Sequence, residues 1–269
     1  MRIAITRDVS PSIGRCELTH LTREPIDVDL ARVQHRRYEA TLAALGCEVH
    51  SLPAAPDLPD AVFVEDVAVV VDEVAIIARP GAPSRRPEVQ AVAKALKLYR
   101  TLAYIDAPGT LDGGDVLRIG KRVWVGLSGR SNRAAIGQMR AALVPLGYTV
   151  EGVPVTGCLH LKSAVTQVAE DAVLVNPAWI DGALFDGMDV IAVDPAEAYG
   201  ANALLIGSNV IYPTTYPRTR VRLERRGILV RAVDVSELIK AEGAVTCCSL
   251  IFDAARQKSD AADGAATST

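Results

Sequence analysis

The sequence lacks an excess of charge of either sign, and it has few aromatic residues. Its 29 Lys and Arg are mixed with 32 Asp and Glu over 269 residues, so the formal net charge is −3, and Phe, Trp and Tyr together make up 4%. Nucleic-acid-binding faces are typically basic clusters with aromatic rings between them, and no such patch stands out. The composition therefore argues against nucleic acid as a partner.

Long apolar runs and paired cysteines are also missing. No apolar run reaches the ~18 residues of a membrane-spanning helix, and the first residues, MRIAIT, are typical of a β-strand rather than of a signal peptide. The five cysteines form an odd number without CxxC spacing, which argues against a disulfide framework and against a structural zinc site. We therefore expect no membrane span and a reducing, cytoplasmic location.

What the sequence does have is a repeat in its middle. Two short apolar strands joined by a tight turn are followed by a helix-like stretch and another strand, several times over. The predicted hairpins pair 62–71 with 74–79, 115–119 with 122–126, 161–168 with 172–175, and 203–206 with 210–212. Their starts lie roughly 40–50 residues apart, a period typical of radial or solenoid architectures.

The two ends of the chain are expected to supply a fifth repeat. A C-terminal strand at 244–251 would join an N-terminal strand at 2–6 and a helix at 29–45. The repeats therefore predict one closed α/β domain over residues 1–252, built from five ββαβ units around a central axis. Residues 253–269 are small and polar, and we expect them to form a disordered tail.

Two adjacent cysteines, Cys247 and Cys248, lie in the predicted C-terminal strand. A strand alternates its side chains between two faces, so these thiols are predicted to point in opposite directions, one into the core and one toward a pocket. Free cysteine is also among the most buried residue types, so core packing of both is the alternative.

Other candidate residues interrupt apolar stretches further up the chain. Glu65 and Asp66 are predicted to lie in the middle of a buried strand, where a carboxylate needs a cation or several donors. Asp112 belongs to a Leu-Asp-Gly-Gly-Asp segment, which also fits a turn. His160 lies between two leucines, and a histidine satisfied within the core is the alternative there.

Together these segments resemble the dimethylarginine dimethylaminohydrolases of the guanidino-group-modifying enzyme superfamily. The similar segments follow the family order and are FVEDVAVV at 63–70, ARPGAPSRR at 78–86, LDGGDVL at 111–117, GLSGRSN at 126–132, LHLKS at 159–163, YPRTR at 216–220 and VTCCSL at 245–250. The resemblance covers nearly the whole chain. It implies the fold of that superfamily, a five-bladed β/α propeller of ββαβ repeats with pseudo-fivefold symmetry.

The resemblance also implies the catalytic residues. Cys247 matches the family nucleophile, His160 the general acid and base, and Asp112 the carboxylate beside the histidine. Cys248 matches a position expected to serve packing. Some bacterial members carry Glu in place of Asp112, so the sequence leaves open whether this shorter side chain contacts the substrate or only orients His160.

Residues that hold the substrate follow from the same resemblance. Carboxylates suit a planar guanidinium, and arginines suit a carboxylate, because both pairs form two parallel hydrogen bonds. The implied substrate-binding residues are Asp66 for the guanidinium, Arg85 and Arg130 for the α-carboxylate, and Asp60 with the backbone carbonyls of Leu18 and Ala241 for the α-ammonium. Glu65 is also implied to bind the substrate, with no particular group assigned to it. Leu18 lies in residues 14–26, which we call the lid segment and expect to cover the site.

The implied reaction is hydrolysis of Nω,Nω-dimethyl-L-arginine, or Nω-methyl-L-arginine, to L-citrulline and dimethylamine or methylamine through a covalent S-alkylthiouronium. The implied partner is this small molecule, with no cofactor and no metal, and the resemblance is compatible with a homodimer. Arginine deiminase and amidinotransferase of the same superfamily are alternatives. A more distant one is the non-catalytic ribosome anti-association factor, which shares the fold and lacks the Cys–His–carboxylate set.

Overall fold

The computed structural model describes residues 1–254, so nearly all of the predicted tail at 253–269 lies outside the described residues. The strands are β1 Arg2–Arg7, β2 Cys47–Leu52, β3 Ala68–Val70, β4 Val74–Ile77, β5 Thr101–Tyr104, β6 Val116–Ile119, β7 Arg122–Leu127, β8 Thr149–Pro154, β9 Val165–Ala169, β10 Ala172–Val175, β11 Asp189–Ala192, β12 Leu204–Ile206, β13 Asn209–Pro213, β14 Leu229–Val233 and β15 Leu250–Asp253. β15 thus extends one residue into the segment predicted as tail.

The helices are short and lie between the strands. The α-helices are α1 Val28–Ala44, α2 Val89–Leu96, α3 Arg133–Leu143, α4 Leu161–Ala164, α5 Pro217–Arg225 and α6 Ser236–Ile239. The 3-10 helices are Ile13–Arg15, Val64–Val67, Pro83–Glu88, Gly113–Asp115, Val144–Leu146 and Gly182–Phe185. No helix in the part of the chain that the structure describes is long and apolar enough to cross a membrane.

The strands form five three-stranded sheets of one design. In each sheet the central strand pairs antiparallel with one neighbour and parallel with the other, in the orders β15-β1-β2, β3-β4-β5, β6-β7-β8, β9-β10-β11 and β12-β13-β14. Parallel neighbours need a crossover connection, which α1, α2, α3, α5 and the 3-10 helix at Gly182–Phe185 supply. The predicted repeat, including a fifth sheet built from both chain ends, is confirmed.

The core lies between neighbouring sheets rather than within one. Successive residues of β4 point to opposite faces, so Val74 and Ile76 pack in one apolar cluster, whereas Ala75 and Ile77 pack in the next one. Both faces of the central strands are therefore buried, which explains their continuous apolar sequences.

Two strands were predicted to carry site residues, but in the structure these residues precede the strands. Glu65 and Asp66 lie in the 3-10 helix Val64–Val67 instead of mid-strand, and β3 begins only at Ala68. The cysteine pair lies in a turn, in which the Cys247 N–H donates to the Ala244 carbonyl at 3.2 Å, and β15 begins only at Leu250. A short apolar run does not distinguish a strand from a helical turn, which is why the sequence pattern misled here.

Candidate active site

A narrow cavity gathers most of the predicted site residues. Its lining residues are Glu17, Asp60, Phe63, Asp66, Arg85, Arg130, Leu159, His160, Ala241, Glu242, Gly243 and Cys247. They come from loops and helical turns that belong to different repeats, so the closed ring of sheets is what brings them together. Of the ten predicted site residues, Leu18, Glu65 and Asp112 do not line this cavity.

The two cysteines occupy different environments. Cys247 lines the cavity, whereas Cys248 is fully buried with its sulfur 3.5 Å from the Ala244 carbonyl oxygen. The predicted difference between the two thiols holds, although a turn and not strand alternation produces it. Burial, together with the charges of Asp66 and Glu65, raises the pKa of Cys247 well above that of an ordinary thiol. The thiol of the unliganded protein is therefore neutral.

His160 lies between two carboxylates. Its Nε2 is 3.1 Å from Asp112 Oδ2, and its Nδ1 is 3.8 Å from Asp66 Oδ1. Burial by itself would lower the pKa of His160, but the charge of Asp66, the hydrogen bond to Asp112 and the charge of Asp115 outweigh burial and raise it to about 9. The imidazole therefore carries a proton at neutral pH.

Asp112 lies behind the histidine and away from the cavity. Its side chain is fully buried, its Oδ1 accepts the Gly81 N–H at 2.9 Å, and its backbone N–H donates to Ser131 Oγ at 3.0 Å. Asp112 Oδ2 lies 3.1 Å from His160 Nε2 and 4.0 Å from Arg130 Nη1, and Asp112 itself does not line the cavity. This geometry favours the second of the two roles that the sequence left open, that of orienting His160.

Asp66 is fixed by contacts to both of its oxygens. Oδ1 accepts the Gly114 N–H at 3.1 Å, and Oδ2 accepts from Arg85 Nη1 at 2.7 Å. Burial would raise the pKa of Asp66, but His160 and Arg85 outweigh it and lower that pKa, so the carboxylate is ionised. Gly114 is needed here, because a Cβ at that position would lie 2.5 Å from His160 Nδ1 and 2.7 Å from Asp66 Oδ1.

Arg85 is occupied by protein carboxylates. Besides Asp66 it binds Glu88, with Nη2 2.9 Å from Glu88 Oε2, and its guanidinium is buried. Burial raises the pKa of Glu88 to about 7 against the opposing charge of Arg85. A substrate α-carboxylate that binds Arg85, as predicted, therefore has to share the guanidinium with these two carboxylates.

Asp60 and Arg130, the other residues predicted to hold the amino-acid end, both touch the lid segment. Asp60 Oδ2 accepts the Glu17 N–H at 3.1 Å, and Arg130 Nη2 donates to Thr19 Oγ1 at 3.0 Å. Leu18 lies between these two contacts and packs its side chain against an apolar cluster that also contains Ala241. The lid segment thus lies against the cavity, to which it contributes Glu17.

Glu65 points away from the cavity. Its Oε1 accepts from Lys162 Nζ at 2.5 Å and its Oε2 from Thr246 Oγ1 at 2.8 Å. It lines a separate cavity of about 430 Å³, shared with Lys162, Gln167 and Asp253 among others. The adjacent carboxylates Glu65 and Asp66 therefore serve two different cavities.

Comparison with known proteins places the chain in a family. The family model described as "N,N dimethylarginine dimethylhydrolase, eukaryotic" matches residues 20–184. The N(G),N(G)-dimethylarginine dimethylaminohydrolase of Streptomyces coelicolor is 41% identical over 249 residues, covering 92% of this chain and 95% of that protein. The chain belongs to the dimethylarginine dimethylaminohydrolase family.

A second relative supports both the family and the fold. The dimethylarginine dimethylaminohydrolase of Pseudomonas aeruginosa is 34% identical over 228 residues, covering 84% of this chain and 90% of the relative. A solved structure of that protein, a Cys-to-Ser mutant complexed with citrulline, matches with a TM-score of 0.88 at 33% identity, over 93% of this chain and 98% of that one. This structural match confirms the prediction that the chain adopts the α/β propeller fold of the dimethylarginine dimethylaminohydrolases.

The sequence-based reasoning missed several residues that support this site. Asp115 is fully buried and accepts from Ser128 Oγ at 2.6 Å, Ser131 Oγ at 2.6 Å and the Leu161 N–H at 2.9 Å. A signal was present, since Asp115 is a second acidic residue in the same apolar segment as Asp112, one of the family motifs. Lys162 likewise lies in one of these motifs, LHLKS at 159–163, whereas Glu88 and Glu242 carried no such signal.

Residues 1–254 contain no group of three or more His, Cys, Asp or Glu side chains that could hold a metal ion. The chemistry available in the site is that of a thiol, an imidazolium and carboxylates.

Proposed function

We propose that the chain hydrolyses Nω,Nω-dimethyl-L-arginine and Nω-methyl-L-arginine to L-citrulline and dimethylamine or methylamine, with Cys247 as the nucleophile. The observation that carries the proposal is the meeting of Cys247, His160 and Asp66 in one cavity. Family membership supports it, as do the citrulline in the related Pseudomonas structure and the names of the two relatives.

Substrate recognition begins at Asp66. A guanidinium is a planar cation whose N–H groups match the two oxygens of a carboxylate. Asp66 is ionised and is held in place by Gly114, so its oxygens face an incoming guanidinium in a defined orientation. The substrate guanidinium would either share Asp66 with Arg85 or displace Arg85 from it. Displacement would free Arg85 for the α-carboxylate.

Substrate binding would also activate the nucleophile. The thiol of Cys247 is neutral because it is buried beside the negative charges of Asp66 and Glu65. A bound guanidinium offsets these charges with a positive one, which lowers the pKa of the thiol and favours the reactive thiolate. The protonated His160 acts in the same direction. The thiol proton passes to solvent, because His160 is already protonated.

The reaction then proceeds in two stages. The thiolate attacks the central guanidino carbon to form a tetrahedral adduct, and His160 donates its proton to the departing dimethylamine, which leaves a covalent S-alkylthiouronium on Cys247. His160, now neutral, takes a proton from water as the water attacks this carbon. The C–S bond then breaks, the proton of the new hydroxyl passes to the departing sulfur, and citrulline leaves as the Cys247 thiol is regenerated.

The test is an assay of citrulline release from a panel of arginine analogues. We expect turnover of asymmetric dimethylarginine and monomethylarginine and poor turnover of arginine. Faster turnover of arginine with release of ammonia would move the assignment to a deiminase, and transfer of the amidino group to an added amine would move it to an amidinotransferase. A Cys247→Ser protein serves as the inactive control.

Domain organisation, location and assembly stay predictions. We propose one catalytic domain that includes β15 and therefore ends at Asp253 or beyond. The cysteines at 16, 47, 158, 247 and 248 are all free, which suits the reducing cytoplasm. The homodimer and the lack of nucleic-acid binding rest on the resemblance and on composition.

A further inference from the structure

Glu242 adopts an uncommon backbone conformation at the edge of the site. Its φ is 57°, in the left-handed region that side chains other than glycine rarely occupy. It follows Ala241 and lies five residues before Cys247, and its side chain lines the site cavity. Such a conformation costs free energy and persists only where the surroundings enforce it.

The carboxylate of Glu242 is bound to the lid segment. It accepts three consecutive backbone N–H groups, from Thr19 at 2.9 Å, from His20 at 2.5 Å and from Leu21 at 2.6 Å. Hydrogen bonds from backbone N–H groups to an ionised carboxylate are among the stronger ones in proteins. Both oxygens of Glu242 are thus taken by the lid segment.

The lid segment must move before a substrate can enter. The free volume of the site cavity is about 10 Å³, room for about one water molecule. The lid segment supplies Glu17 to this cavity, and His20 and Leu21 to an adjoining cavity of about 110 Å³ that Glu242 also lines. Glu242 therefore lies where the lid segment meets both spaces.

Two other contacts of the lid segment use residues that are predicted to bind the substrate. Asp60 accepts a hydrogen bond from Glu17, and Arg130 donates one to Thr19. Asp60 and Arg130 are also the predicted ligands of the amino-acid end of the substrate. A bound substrate that engages them weakens their hold on the lid segment. The three bonds to Glu242 do not depend on those two residues.

We propose that Glu242 is a positioning residue for the hydrolysis, since its carboxylate holds the lid segment closed over the bound substrate. Its backbone conformation aims the carboxylate at Thr19, His20 and Leu21, and the closed lid segment sets the affinity for the substrate. The effect on catalysis rests on the proposed function, whereas the effect on the lid segment does not.

Three variants separate this role from that of a simple turn residue. Glycine suits a φ of 57° better than glutamate does, so Glu242→Gly should be harmless or stabilising if only the backbone shape matters. Glu242→Asp keeps a carboxylate on a residue that tolerates the left-handed region, and serves as the matched control. Glu242→Gln keeps side-chain length but removes the charge, and replaces the glycine variant should that protein not fold.

Two measurements are made on each protein. The first is amide hydrogen exchange at Thr19, His20 and Leu21 in the unliganded protein, and the second is kcat and KM for asymmetric dimethylarginine. For the glycine and glutamine variants we expect about 10-fold faster exchange at these amides and a KM about 10-fold higher, with a smaller change in kcat. The aspartate variant should stay within about 3-fold of the parent.

Parent-like exchange and parent-like KM in Glu242→Gly would overturn the proposal, because a turn role alone would then suffice. A fall in kcat as large as the rise in KM, with unchanged amide exchange, would also overturn the proposal. A parent protein that does not release citrulline would refute the proposed function, and the exchange measurement would still decide whether Glu242 holds the lid segment.

Discussion

Asp66 has opposite consequences for the two reacting side chains, because its charge keeps the Cys247 thiol neutral until a cation binds but keeps His160 protonated, as a general acid must be. Its negative charge contributes to the raised pKa of Cys247 and to the raised pKa of His160. A carboxylate nearby disfavours a thiolate and favours an imidazolium. The unliganded protein therefore keeps a neutral thiol beside a protonated histidine, and a cationic substrate at Asp66 removes the block on the thiol.

The acid role of His160 predicts a pH dependence. The protonated form is the one that donates to the departing amine, and the pKa of His160 in the free protein is about 9. We expect kcat/KM for dimethylarginine to rise with pH and to level off near pH 9, because the reactive free protein needs protonated His160 together with an ionised Cys247 thiol, whose pKa lies above that of His160. Initial rates between neutral and alkaline pH test this expectation.

His160→Ala should stop steady-state turnover of dimethylarginine, because dimethylamine is a basic leaving group that needs a proton. An analogue with a better leaving group should still react and stall as a covalent adduct on Cys247, visible by intact-protein mass spectrometry. Turnover of dimethylarginine by this variant at the parent rate would make His160 a core residue and the mechanism wrong.

The cysteine pair gives a matched comparison of two adjacent residues. Cys247→Ser should abolish citrulline release, because a hydroxyl is a far weaker nucleophile than a thiolate. Cys248→Ser should keep most of the activity while lowering the melting temperature, since the new hydroxyl is buried in an apolar cluster. An inactive Cys248 variant beside an active Cys247 variant would reverse the two roles.

At the scale of elements, helical turns precede the first strand of three hairpins. They are Val64–Val67 before β3, Gly113–Asp115 before β6 and α4 before β9. Asp115 ends one of these turns and accepts the first backbone N–H of α4, directly after His160. The turns thus support one another, carry Asp66 and His160 to the cavity and place Asp112 behind His160.

Removing the carboxylate of Asp115 should loosen this arrangement. Asp115→Ala leaves two serine hydroxyls and the Leu161 N–H without their acceptor, and we expect a loss of about 3–5 kcal/mol in the free energy of unfolding. Denaturant unfolding monitored by fluorescence measures it. The exposed Asp57 offers a control, because Asp57→Ala should stay within about 0.5 kcal/mol of the parent. Equal stability of both variants would contradict the role given to Asp115.

At the scale of the whole molecule, one sheet joins the two ends of the domain. β1 pairs with β15 on one side and with β2 on the other, and the Ala254 N–H donates to the Met1 carbonyl at 2.8 Å. The turn that holds Cys247 immediately precedes β15. Closure of the ring therefore positions the nucleophile.

Truncation tests this dependence on closure. Deleting residues 250–269 removes β15, and we expect loss of cooperative thermal unfolding and of citrulline release, because β1 loses one neighbour and Cys247 its anchor. Deleting residues 255–269 keeps β15 intact and should leave both properties close to those of the parent. An active protein that lacks β15 would show that the other four sheets suffice.

The hairpin pattern could be predicted from the sequence because it depends on local alternation and on turn residues. The helical turns at Glu65 and before Cys247 could not, since a few apolar residues are compatible with either structure. The site residues were found through motif resemblance, yet their contacts were not. Neighbours such as Glu65 and Asp66 face different cavities, which their side-chain types do not reveal.

The sequence by itself determined the five repeats and the presence of a thiol, a histidine and carboxylates as candidate reactive groups. Both the spacing of the repeats and the residue types can be read from the order of residues along the chain. Only the tertiary structure decided that Asp112 lies behind His160, that Arg85 binds two carboxylates, and that Glu242 meets the lid segment. Glu242 and Thr19 are 223 residues apart in the sequence. Their contact exists because the ring closes, and no local pattern encodes the distance between residues on different sheets.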